Sequence, residues 1–66
     1  MQLVLNGNSH DHRDDGCVAE LLEAIAADTR CVAVTVNDVI VPRDRRAGFV
    51  LHKGDRVEVL TGVGGG

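Results

Sequence analysis

The sequence predicts a two-layer α+β fold in which one helix packs across a mixed sheet of four or five strands. Apolar residues alternate with period two in several segments, one window switches to the helical period, and turn-forming residues separate the segments. A helix with one apolar stripe and a sheet with one apolar face bury both only by packing on each other. Sixty-six residues allow a single small domain, and a hydrophobic fraction of 44% supplies its core. One Phe, with no Tyr or Trp, leaves that core to Val, Leu, Ile and Ala.

The first strand is read at residues 2–6, with Leu3 and Leu5 on one face and Gln2, Val4 and Asn6 on the other. Asn6-Gly7-Asn8 tolerates the positive φ of a tight turn. The return strand, Ser9 to Arg13, is polar throughout and suits a sheet edge. Val18, Leu21, Leu22 and Ile25 then fall at i, i+3, i+4 and i+7, which predicts an amphipathic helix of about ten residues. Asp14, Asp15 and Glu20 lie near its positive end and Arg30 follows its negative end. Cys17 stands where a capping Ser or Thr is expected, three residues before Glu20.

CVAVTVN, residues 31–37, is the candidate central strand, with Val32, Val34 and Val36 inward and Ala33 and Thr35 outward. Asn37-Asp38 turns the chain into a short strand, Val39 to Val41, which Pro42 ends. Arg43 to Gly48 reads as an exposed connection. Phe49, Val50 and Leu51 return to the core, and residues 52–55 turn into the last strand, Arg56 to Thr61. Val57 and Val59 face one way; Arg56, Glu58 and Leu60 face the other. This order of elements is that of the β-grasp, the ubiquitin-like architecture. It divides the chain into a domain at 1–61 and a glycine-rich tail at 62–66. Three consecutive glycines carry the highest ordering cost of any residue, so the tail is expected to be flexible.

Composition also narrows function. A chain this short has little room for a large active-site cleft. Nucleic acid is disfavoured as a partner, because stacking platforms are missing and the formal charge of −3 repels phosphate. No signal segment and no apolar run of about 18 residues is visible, so a cytoplasmic protein without membrane contact is expected. Cys17 and Cys31 match no zinc spacing, and at opposite ends of the helix they are too far apart for a disulfide.

The tail offers a chemical role. A C-terminal glycine presents an unhindered carboxylate on a thread without side chains, fit to enter a narrow tunnel in another protein. There it can be activated as an acyl-adenylate and attacked by a sulfur or amine nucleophile. With this tail, the segments Val18-Ala19-Glu20-Leu21-Leu22, Val32-Ala33-Val34 with Asn37, Ile40-Val41-Pro42-Arg43, Gly54-Asp55-Arg56-Val57-Glu58 and Val63-Gly64-Gly65-Gly66 resemble the sulfur carrier family of thiamine thiazole biosynthesis, the ThiS type. The resemblance spans nearly the whole chain.

The resemblance implies a carrier with no catalytic centre, no resident metal and no bound cofactor. Gly66 would be adenylated with ATP by a separate E1-like enzyme and converted to a thiocarboxylate by a persulfide donor, such as a cysteine desulfurase system. Thiazole synthase would take the sulfur. Gly64, Gly65 and Gly66 carry over as the residues that thread into partner active sites. The chain departs from the family in its polar second strand, in a loop before the helix that is a residue short, in Cys17 where Thr is frequent, and in Asp44-Arg45-Arg46 where an aromatic is frequent. Three other uses of the same elements stay open: a molybdopterin-type carrier subunit, a ubiquitin-like modifier conjugated through Gly66, and a β-grasp interaction module with an inert tail.

Three further features stand out. His10 and His12 share a strand face as a metal pair would, but no third ligand stands at a clear spacing, and a solvated edge strand is the better reading. Arg43, Arg45 and Arg46 suit a phosphate, an acidic partner surface or a solvated loop. Val4, Ala33, Thr35 and Leu60 lie on the sheet face away from the helix, with Val63 close behind. Leu60 and Val63 are therefore the expected docking residues for partner enzymes.

Overall fold

Pairing partners show how the strands assemble in the computed structural model, which describes residues 1–27 and 30–62. Strands β1 (Gln2–Leu5) and β2 (Asn8–Asp11) form an antiparallel hairpin, and α1 (Val18–Ala24) follows. Next come β3 (Cys31–Val36), β4 (Val39–Ile40), a 3-10 helix at Arg43–Gly48 and β5 (Arg56–Thr61). The sheet order is β2-β1-β5-β3-β4. β5 is central, parallel to β1 and antiparallel to β3. Leu3, Val34 and Val57 of the sheet are fully buried together with Val18 and Leu21 of α1, and Val41 and Leu51 close the core at its sides. The two-layer arrangement predicted from the periodicity is the one observed.

Both hairpins turn through two residues. Asn6 and Gly7 have φ of 48° and 84°, and Asn37 and Asp38 have φ of 51° and 69°. Positive φ at both central positions matches the right-handed twist of the flanking strands. Asn8 therefore belongs to β2, which starts one residue earlier than expected and ends at Asp11. The turn asparagines also extend the ladders. Asn6 Oδ1 accepts from Val59 N–H at 2.8 Å, and Asn37 Oδ1 accepts from Arg56 N–H at 3.0 Å.

The helix is shorter than its apolar stripe suggested, seven residues instead of about ten. Ile25 is its C-cap and Ala26 takes the left-handed conformation, φ 58°. Ala27 N–H reaches Leu22 O at 2.9 Å and Ala26 N–H reaches Glu23 O at 3.1 Å, the paired bonds of a Schellman ending. The sequence has alanine at the position where glycine usually marks this stop, so the boundary carried no signal. At the other end Glu20 Oε1 accepts from Cys17 N–H at 3.0 Å, the glutamate half of a capping box. The Cys17 sulfur, a weak acceptor, stands in the place of the capping oxygen. Val18 N–H donates to Phe49 O at 3.0 Å and Leu51 N–H to Gly16 O at 2.9 Å, which ties the helix start to the segment before β5.

Four expectations need correction. Val32 is not in the core. The register shifts between Cys31 and Ala33, so Cys31 turns inward beneath the helix and Val32 is left 61% exposed. The Arg43–Gly48 stretch is a 3-10 helix, and Arg46 within it is buried. Val50 is exposed while its neighbours Phe49 and Leu51 pack inward. His12 is not solvated: past the end of β2 it is buried and packs so closely on Gly16 that a Cβ there would collide with its Nε2.

An alanine at φ 58° carries strain that glycine relieves. Ala26→Gly is expected to stabilise the fold by about 0.5–1 kcal/mol, read as a higher denaturant midpoint at unchanged slope. The Cys17 N–H, and beyond it Arg13 at 2.7 Å, hold the Glu20 carboxyl below its ordinary value of 4.5. A lowered carboxyl pKa favours the fold above the ordinary value, and that support fades as pH falls through the lowered one. Glu20→Gln should therefore flatten the acid side of a plot of Tm against pH, and an unchanged profile would count against this account.

Candidate functional site

The site begins where β5 runs out. Thr61 is opposite Cys31, Gly62 N–H donates to Arg30 O at 2.6 Å, and Gly62 packs on Val32, whose Cγ2 lies 3.3 Å from where a Gly62 Cβ would be. The chain thus enters its tail held against the first residues of β3. Val63, Gly64, Gly65 and Gly66, four of the residues singled out for docking and threading, lie outside the described residues.

Register places the outer sheet face. Leu60 stands opposite Ala33, and Glu58 opposite Thr35, which in turn faces Ile40 across to β4. Leu60 is 64% exposed and Ile40 70% exposed, while Val4 lies on the neighbouring β1, opposite Arg56 at the start of β5. The bulge adds Val32 at the root of the tail. A shallow hollow lined by Asn6, Ala33, Thr35, Glu58, Val59 and Leu60 opens on this face, and the Thr35 hydroxyl buried in it has no hydrogen-bond partner. Leu60 is therefore exposed where expected. Ile40 was missed, although a two-residue turn at Asn37-Asp38 already sets it opposite Thr35. Val32 had no signal, because alternation assigned it to the other face.

The remaining features separate. His12 Nε2 lies 3.3 Å from Cys17 O, and its backbone carbonyl accepts from the Met1 ammonium at 2.7 Å, so this histidine ties the hairpin to the helix start. Among the described residues no cluster of His, Cys, Asp or Glu is arranged to hold a metal ion. The Met1 amino group bonds Asp14 at 3.1 Å and Asp11 at 3.3 Å, which raise its pKa above the ordinary 8.0. The three arginines do not form one patch. Arg45 borders a hollow with Pro42, Asp44, Gly48 and Phe49, whereas Arg43 and Arg46 share a hollow against α1. Both cysteines are free.

Known proteins match this arrangement. The ThiS family model matches residues 3–66. The chain belongs to the ThiS family. A crystal structure of thiamine biosynthesis protein ThiS from Geobacter metallireducens is 33% identical, covers all of both chains and superposes with a TM-score of 0.81. A solution structure of a thiamine biosynthesis protein from the same organism is 31% identical over this whole chain and 88% of that one, with a TM-score of 0.78. The β-grasp expected from the order of elements is thus the fold of this ThiS-family chain. A protein named thiazole synthase from Paramagnetospirillum magneticum is 36% identical over 66 residues. The ThiS-family chain spans 20% of that relative's length. No helix among the described residues is long and apolar enough to cross a membrane.

Proposed function

We propose that this chain is a sulfur carrier of thiamine thiazole biosynthesis, acted on by other enzymes and not itself a catalyst. The carboxylate of Gly66 attacks the α-phosphate of ATP in an E1-like enzyme, forming the acyl-adenylate and releasing pyrophosphate. A persulfide sulfur, supplied by a cysteine desulfurase system, displaces AMP. A thiol then cleaves the S–S bond to leave the thiocarboxylate. Thiazole synthase receives this sulfur. The observation that carries the reading is the family match, which runs through residue 66 and so includes the tail. A relative that bears the name thiazole synthase and contains a segment similar to this whole chain favours thiazole as the product.

The geometry supports a docking role for the outer face. Leu60 and Val32 are exposed apolar residues at the root of the tail, with Ala33 beside them and Ile40 two rows further along the sheet. Apolar residues grouped in this way suit a transient interface. Gly64, Gly65 and Gly66 then thread into the partner's active site, and Val63 meets the partner next to Leu60. The carrier binds no cofactor of its own; ATP belongs to the activating enzyme. Nucleic acid and membrane have no part in this cycle, which is placed in the cytoplasm.

Intact mass spectrometry of the protein from its native cells tests the reading. An oxygen-to-sulfur gain at Gly66 is expected, absent when Gly65 and Gly66 are deleted, while thermal unfolding stays nearly unchanged because glycine has no side chain to bury. A lysine-linked conjugate would instead establish a protein modifier, and co-purification with a molybdopterin synthase subunit would establish that pathway. An unmodified C-terminus under sulfur-replete conditions would leave an inert module.

Leu60→Glu should lower kcat/KM for adenylation about tenfold, through loss of one central apolar contact. Because Leu60 is exposed, stability should change by less than about 0.5 kcal/mol. Wild-type turnover of this variant would exclude the outer face as the docking surface.

A further inference from the structure

Two arginines remain that the carrier reading does not use. Arg46 is only 7% exposed, and its Nε has no hydrogen-bond partner. Arg46 and Arg43 line one hollow of about 320 Å³ between α1 and the 3-10 helix, together with Ala19, Leu22, Glu23 and Ala47. Among the described residues no carboxylate, Glu23 included, forms an ion pair with either guanidinium. A charge buried without a partner is costly, and natural proteins compensate it or use it.

The hollow is not remote from the tail. Arg43 Nη2 donates to Cys31 O at 3.4 Å, and Cys31 is the residue paired with Thr61. The preceding residue, the exposed Arg30, accepts the Gly62 N–H through its carbonyl. Three arginines therefore cluster about the point where the chain leaves the sheet, on a molecule whose formal charge is −3. Several of the ten acidic residues stand away from this cluster, Asp11 and Asp14 around the Met1 ammonium, Asp15 beside them in sequence, and Asp38 on Arg56 at the far hairpin, while Glu23 lines the hollow and Asp44 follows Arg43.

We propose that Arg43 and Arg46, with Arg30 beside them, form a basic collar at the root of the tail that receives acidic side chains from the rim of the adenylating enzyme. The inference rests on the carrier reading, since it supposes that the tail enters such an enzyme. A carboxylate entering the hollow meets Arg46, which forms no ion pair among the described residues, with Arg43 on the same lining, and guanidinium groups pair with carboxylates in a fixed planar geometry. The polarity of the whole molecule makes the contact directional. A negative partner rim attracts the collar and repels the acidic remainder, which steers the encounter tail-first.

The test is ATP–pyrophosphate exchange by the cognate E1-like enzyme with the full-length carrier, measured at low and at high salt. Wild type should show a kcat/KM that falls with salt. Arg46→Met, which removes the charge but keeps an apolar stem of similar length, should fold with an unchanged or higher Tm. Its kcat/KM at low salt should drop about tenfold through KM, and its salt dependence should be weaker. Arg43→Glu should do the same more strongly, and Arg45→Ala, on the other hollow, should behave as wild type. Folded Arg46→Met and Arg43→Glu variants with wild-type kcat/KM at low salt would overturn the collar while leaving the carrier intact. A wild-type protein that supports no exchange at all would overturn the carrier reading itself, and the collar with it. Inorganic phosphate competing with exchange through wild type but not through Arg46→Met would reassign the hollow to a free anion.

Discussion

The pairing of β5 on both of its edges is the constraint on which the rest of the molecule depends. β5 joins the amino-terminal hairpin, through β1, to the β3–β4 hairpin, through β3, and so makes one sheet of the two. Its inward residues, Val57 and Val59, form the floor of the core beneath α1. With a single phenylalanine in the chain, Phe49 at the edge of the core, the core is otherwise aliphatic and its side chains must meet in register. The turn asparagines, which bond β5 through their side chains, hold that register at both ends.

A strand held in this way is a firm mount for whatever follows it. Because β5 is central, its outward side chains lie in the middle of the exposed face, and its last residues leave the sheet between β3 and open solvent. Leu60 and Val32 on the outer face and Arg43 of the basic hollow then stand near the tail root without any of them having to form a cleft.

Much of this was legible in the sequence. Alternation set the inward and outward faces of β1 and β5, the asparagine turns set both hairpins, and the bounds of β5 were read correctly to the residue. Leu60 followed from the same alternation. Where the reading failed, the cause was a contact distant in sequence or a missing punctuation residue. A bulge is decided by the partner strand, so Val32 and Cys31 exchanged faces without any local sign. The helix stopped early at an alanine that behaves as a glycine. Three arginines among six residues looked like a solvated loop, and burial of Arg46 follows only from how the 3-10 helix packs on α1. His12 was hidden for a similar reason, since the glycine that admits its ring lies four residues away on the far side of a turn.

The bulge at Val32 has a consequence for how such a domain changes over evolutionary time. One extra residue in β3 acts as a phase shifter: downstream of it the strand keeps its pairing with β5, while upstream every side chain has exchanged sides. Loss of a single codon there would restore simple alternation, withdraw an apolar residue from the tail root and alter the seat of Gly62, all without touching the core layer at Val34 and Val36. The surface beside the tail root is thus open to adjustment by a one-residue deletion, a smaller step than redesign of any face.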